Sequence, residues 1–161
     1  MIENNVISTT EQQLYIVELA EPFERLAIQF MPNVRGSRVG NYSKVQIVGR
    51  NNPKYHFTGG EDSLRLDMEF MAFSELGDEV WKKIQWLKSL TANDAFNGPT
   101  HEVSLIFGRM YRNQRWIITR VDDQPRRFDH KKGMFPIEAT VSINLSRVTE
   151  RNLTIQDIRN Q

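Results

Sequence analysis

Residues 49–70 read GRNNPKYHFTGGEDSLRLDMEF. The stretch opens on Gly49-Arg50, pauses at Asn51-Asn52-Pro53, and then alternates aromatic with polar side chains. Gly59-Gly60 predicts a tight turn, because glycine enters the backbone conformations such turns require. After the turn the alternation resumes, with Leu64, Leu66, Met68, Phe70 and Ala72 on one side and Arg65, Asp67, Glu69 and Met71 on the other. A hairpin is the local expectation. Its apolar face needs cover. Its other face is largely charged, which fits a solvated surface, a catalytic face, or a surface that meets other copies of the chain.

Composition narrows the field. A chain of 161 residues with 39% hydrophobic and 25% charged side chains is long enough to bury a core and reads as one globular β domain. The 21 basic and 20 acidic residues leave a net charge of +1, so bulk charge gives no push towards nucleic acid or anionic lipid. There are no cysteines, which removes disulfides, thiolate nucleophiles and zinc–thiolate sites. No apolar run approaches the roughly 18 residues of a membrane span, so no membrane partner is expected.

Residues 1–12 are polar and predict a flexible arm, and 13–148 a single β domain. Residues 149–161 predict a polar tail with Leu153, Ile155 and Ile158 as docking points. Within the domain, LYIVEL (14–19) and LAIQFM (26–31) read as strands parted by the breaker Glu21-Pro22. PNVRGSRVGNYS (32–43) has two glycines and no periodicity, and predicts a long binding loop. KVQIVG (44–49) and KYHFTG (54–59) are short strands. Residues 77–90 form the one convincing helix, with Val80, Ile84, Leu87 and Trp81 on its apolar stripe and Asp78 as N-cap. Trp86 falls away from that stripe, and either covers a flank of the sheet or anchors a partner subunit. EVSLIFG (102–108) and RWIITRV (115–121) follow as a pair of strands joined by RMYRNQ, with a break at Asp122-Asp123-Gln124-Pro125. PIEATVSINLSRV (136–148) alternates again, turning Ile137, Ala139, Val141, Ile143 and Leu145 inward. Period-2 strands with one apolar face call for a second sheet or the helix as cover. The fold class expected is mainly β, a two-sheet sandwich or partly closed barrel with one inserted helix.

Catalytic patterns are sparse. His56, His101 and His130 stand in separate segments with no second ligand at metal spacing, and no phosphate loop or nucleophile elbow is present. Asp67 and Glu69 lie about 6.6 Å apart along a strand, near the separation of the acid and base in inverting glycosidases. That chemistry also needs a cleft that raises one pKa, and no pattern predicts one. Arg126-Arg127-Phe128-Asp129-His130-Lys131-Lys132, with Arg109, Tyr111 and Arg112 upstream, fits a charged hairpin tip, or a single-strand binder diluted by its aspartates. The expectation is a chain that is not an enzyme and holds neither metal nor cofactor.

The quoted stretch, with its Gly-Arg lead, extended strand, Gly-Gly-Glu turn and leucine/acid alternation, resembles a hairpin in a known family. It is that of the tube-like N-terminal domain of baseplate hub proteins (LysM-type tube initiators) in contractile phage tails and related injection systems. The later order fits too: one helix, the pair ending RWIITRVDD, and the long strand FPIEATVSINLSRV. The resemblance covers residues 20–150. In many relatives a LysM module follows, about where this sequence reaches Gln161, so a LysM role is expected to be lost or carried by another chain. What the resemblance implies is a virion protein of the tail or baseplate, assembled in the host cytoplasm. It would form a hexameric ring at the junction of tube and hub, adapting or initiating the tube. Partners would be tail-tube and hub proteins, with wedge or sheath proteins as further candidates, and DNA would be only cargo in the lumen. Arg35, Arg38, Tyr42, Arg50, Arg65, Asp67, Glu69 and Trp86 would then be lumen or inter-subunit residues. The alternatives are the tail-tube protein itself, or a carbohydrate-binding or hydrolytic tail accessory using Asp67 and Glu69.

Overall fold

The computed structural model describes residues 14–73, 77–92, 101–131, 133–149 and 154–160. The N-terminal arm 1–12 and Leu153 lie outside them. In chain order the elements are β1 (Leu14–Glu18), β2 (Arg25–Ile28), β3 (Asn33–Val45), β4 (Lys54–Met71), α1 (Glu79–Ser89), β5 (Val103–Ile106), β6 (Arg115–Phe128), β7 (Pro136–Val148) and α2 (Ile155–Arg159).

The fold is mainly β, but two facing sheets do not form. All seven strands join one open antiparallel sheet in the order β2-β1-β5-β6-β7-β4-β3. The sheet has two strand groups, β2-β1-β5 and β6-β7-β4-β3, and they meet at a narrow seam, the single pair Val103↔Trp116. The two outermost strands, β2 and β3, follow one another in the chain. Between them Gln29 donates from Nε2 to the Met71 carbonyl at 3.0 Å and accepts from the Met71 N–H at 2.8 Å. Gln29 and Met71 continue the register that pairs Asn33 with Asp67, so a side-chain amide stands in for a peptide where the ladder stops.

Alternation on β4 and β7 sets the core. Leu64, Leu66, Met68 and Phe70 are buried, as are Ala139, Val141, Ile143 and Leu145. They join Ile16 and Leu26 from β1 and β2, Val103 and Leu105 from β5, and Trp116 and Ile118 from β6 in one cluster. Helix α1 contributes Val80, Ile84, Trp86, Leu87 and Leu90. On a wheel of 3.6 residues per turn these centre near Lys83, which puts Trp81 roughly 140° away. Trp81 is accordingly exposed, against the expected stripe, and Lys83 is buried instead. Asp78 stands at the N-cap without a side-chain capping bond, its carboxylate pairing with Lys82 Nζ at 2.7 Å. Lys88 ties the other end of the helix to Asp123 of β6 at 2.5 Å.

Four local expectations are corrected. Residues 33–45 form a strand, not a binding loop. β4 runs straight through Gly59-Gly60, and the chain reverses instead between Val45 and Lys54, where Gly49 takes φ +88°. Gly60 is needed for a different reason: a Cβ there would lie 3.0 Å from Arg38 Nη2 and 3.3 Å from the Val39 carbonyl oxygen. β6 likewise runs through Asp122–Pro125. Among the described residues it has no strand on its far side there, and such one-sided positions tolerate a proline. Finally, the expected tail contains α2, opened by a capping box between Thr154 and Asp157.

Candidate inter-subunit face and arm

β3 and β4 stay paired beyond the rest of the sheet. From Ser63 to Asp67, β4 lies between β3 and β7, and from Met68 to Met71 it pairs with β7; from Lys54 to Asp62 its only strand partner among the described residues is β3. This two-stranded arm carries Val39, Tyr42, Val45, Tyr55 and Phe57 exposed, with Val48 fully so at the reversal. Tyr42 and Phe57 meet edge to face at 5.4 Å between ring centroids. A register shift between Asn41 and Tyr42 leaves Thr58 without a partner and adds local twist. At the base, Asp62 accepts from Arg38 at 2.7 Å and from Arg147 of β7 at 3.3 Å, which fixes the arm to the body. Beside this clamp a cleft of about 490 Å³ opens, lined by Leu64, Met110, Tyr111, Trp116 and Ile158 of α2. Burial pushes the Tyr111 phenol above its usual pKa.

The second feature is the polar face of β3-β4-β7-β6. Arg65 Nε donates to Asp67 at 3.0 Å, and Ser142 Oγ donates to the same carboxylate at 2.6 Å. The Ser142 hydrogen bond, and after it Arg65 and Arg35, hold Asp67 below the usual carboxylate range. So held, Asp67 favours its carboxylate form, the opposite of the raised pKa that a general acid needs. Arg35 stands opposite Arg65, and Glu69 opposite Thr140, exposed. Among the described residues no group of three or more acidic or histidine side chains could hold a metal ion. His101 pairs with buried Glu18, His130 touches Met134 Sδ at 3.3 Å, and His56 lies on the arm. In the basic segment 126–132, Arg127 approaches Glu138 at 3.8 Å across the end of β6 and β7.

The residues expected at an interface therefore divide. Arg35, Arg65, Asp67 and Glu69 share the polar face, while Arg38, Tyr42 and Arg50 belong to the arm and its reversal. Trp86 departs from both, because its side chain is 8% exposed within the core of its own domain. Sequence reasoning missed Arg120 and Asp122, which share the polar face although Asp122 falls in a segment read as a break. The available signal was the Arg-x-Asp spacing of residues 65–67 repeated at 120–122.

No family model and no curated protein sequence matches the chain. Solved structures with a similar fold include a chain from the virion of a native gene transfer agent particle (13% identity, TM-score 0.46, covering 92% of this chain and 99% of that one). A second comes from the tail of an empty gene transfer agent particle, refined with C6 helical symmetry (12%, 0.47, 87% and 95%). A third comes from the six-fold symmetrised baseplate of the anti-feeding prophage (12%, 0.44, 93% and 98%). At these identities and scores the likeness is one of fold outline, and no activity or partner follows from it.

Proposed function

We propose that this chain is a ring-forming structural protein of a contractile phage tail or related injection system, seated where the tube meets the baseplate hub. The observation that carries the reading is the arm: β3 leaves the body with an unpaired outer edge and aromatic residues exposed on it. Edges of this kind are aggregation hazards unless something covers them, and a closed ring covers every one. β6 offers the complementary edge from Thr119 onward, where no described strand flanks it. Four strands, β3-β4-β7-β6, separate the two edges. The even number makes β3 and β6 antiparallel, so β3 of one copy can continue the ladder beside β6 of the next without a break in the pattern. The contact is head to tail, the kind that closes a ring when the rotation fits. Strand tilt and stagger would bring the arm alongside the neighbour's β6. The polar face would then line a lumen. Its setting in a contractile tail comes from the sequence resemblance of residues 49–70 and of the element order.

The test is to shorten the arm. Replacing residues 42–58 with a two-residue Asn-Gly turn keeps the strand pairs from Asn33↔Asp67 to Asn41↔Gly59. The shortened chain should remain folded, with unchanged melting, yet fail to form rings in electron micrographs and fail to enter particles. Rings that still form normally would refute the reading.

A further inference from the structure

β4 and β6 carry the same Arg-x-Asp spacing, at Arg65–Asp67 and Arg120–Asp122. Both pair antiparallel with β7, so they run parallel to one another and present the motif in the same direction. Asn144 of β7 stands between Arg65 and Arg120, and Ser142 between Asp67 and Asp122. Arg35 on β3 lengthens the first row. A single local feature makes the rows align. Ile118 pairs with Leu145 but Arg120 with Asn144, so Thr119 is an extra, bulged residue, and its Oγ1 donates to the Asn144 carbonyl at 3.1 Å. In a regular ladder Arg120 would oppose Ile143 on the core face. The bulge turns Arg120 and Asp122 outward, which is what bulges commonly do to a side chain that must be re-aimed.

The face thus holds a row of three guanidinium groups beside a row of two carboxylates. Arg65 and Arg120 are each bound by the aspartate two residues on, at 3.0 Å and 2.8 Å. Bare arginines in a row would bind backbone phosphates bidentately. We propose that Asp67 and Asp122 are charge shields, occupying the guanidinium row so that a polyanion meets this face without adhering to it. The partner the surface fits is a nucleic acid strand in transit. That biological meaning rests on the ring reading; the shielding itself is a property of each copy.

The probe is a fluorescein-labelled single-stranded oligodeoxythymidine, titrated with the full chain at several salt concentrations around 0.15 M. The wild type should show no saturable binding there. Asp67→Asn/Asp122→Asn should bind, with a slope of log affinity against log salt of about −1.4, the contribution of two freed cations on a single strand. Asp122→Asn alone spares the Ser142–Asp67 bond and should bind more weakly, with a slope of about −0.7. Adding Arg120→Gln to the double variant should remove one cation's share. Wild-type binding as tight as that of the double variant would overturn the proposal, as would a folded double variant that binds no better than the wild type. Ring formation, scored separately by electron microscopy, judges the ring reading whichever way the titration falls.

Discussion

Lys83 should weaken the fold, and replacing it with methionine should strengthen it. Its side chain is 1% exposed within the helix–sheet core, and among the described residues its Nζ has no hydrogen-bond partner. A buried polar atom without a partner costs about 1–3 kcal/mol, and more when charged. The Nζ lies 5.3 Å from the centroid of the Phe70 ring, and a cation–π contact of this kind returns about 0.5–2 kcal/mol. Methionine keeps the unbranched shape and most of the volume while removing the ammonium. The net expectation for Lys83→Met is a gain of about 1–2 kcal/mol at neutral pH, measured by urea unfolding. The pH dependence gives a second reading. Burial pushes the Lys83 pKa below its ordinary 10.5, with Glu79 opposing only in part. Between the lowered folded value and 10.5 the unfolded chain holds more protons than the folded one, so this group's contribution to stability rises with pH. Its penalty is complete below the folded pKa and gone above the unfolded one. The advantage of Lys83→Met should therefore shrink as pH climbs towards 10.5. A variant that is less stable than wild type at pH 7, or whose advantage does not change with pH, would refute this account.

Two further outcomes follow from the packing. Phe70→Ala, at a fully buried position on β4, should cost about 3–5 kcal/mol in the same unfolding assay. Deleting Thr119 removes the bulged residue and leaves every later pair in place, so it should cost no more than about 1 kcal/mol. Deleting Val121 instead draws Arg120 onto the core face and should abolish cooperative unfolding. Equal effects from the two deletions would mean that the register assigned to β6 is wrong.

What could be read in the sequence was whatever the core writes into it. β7 is legible in its limits and in its inward face from Ala139 to Leu145, because those alternate residues are buried in the core and burial imposes period 2; Ile137, read as inward too, is only half-buried. The charged face of β4 was legible for the same reason, as the complement of a buried one. β3 was not legible. Both of its faces are exposed along the arm, so no side-chain period marks it, and Gly36 and Gly40 read as loop residues. It is a strand because β4 pairs with it, a fact carried by backbone hydrogen bonds that leave no local trace. The arm's aromatics were visible as letters. That they are exposed was not, because alternation of aromatic and polar residues looks the same whether the aromatic side is buried or bare. The helix is legible but its rotation is not: the apolar stripe read from the sequence includes Trp81, which is exposed, and omits Lys83, which is buried. Composition rules place lysine outside, and the wheel alone places it inside; the buried arc followed the wheel.

Two charge pairs of the polar face need no neighbour. Arg65–Asp67 and Arg120–Asp122 are each made within one strand, and on the opposite side of β4 Asp62 binds Arg38 and Arg147 within one copy. Pairs closed in this way are the same in the free chain and in an assembly, so they contribute little to the difference in free energy between the two. Among the described residues, the outer backbone edge of β3 and the far edge of β6 beyond Trp116 have no strand beside them, as is true of the outer edge of β2, and the arm carries a bare aromatic surface. Backbone edges specify direction and register but not sequence, and apolar surface supplies binding free energy without direction. On the arm the two occur together, on the same residues. Under the ring reading proposed above, that coincidence would make the arm the element through which copies join, and the closed pairs Arg65–Asp67 and Arg120–Asp122 would leave the polar face available for a lumen.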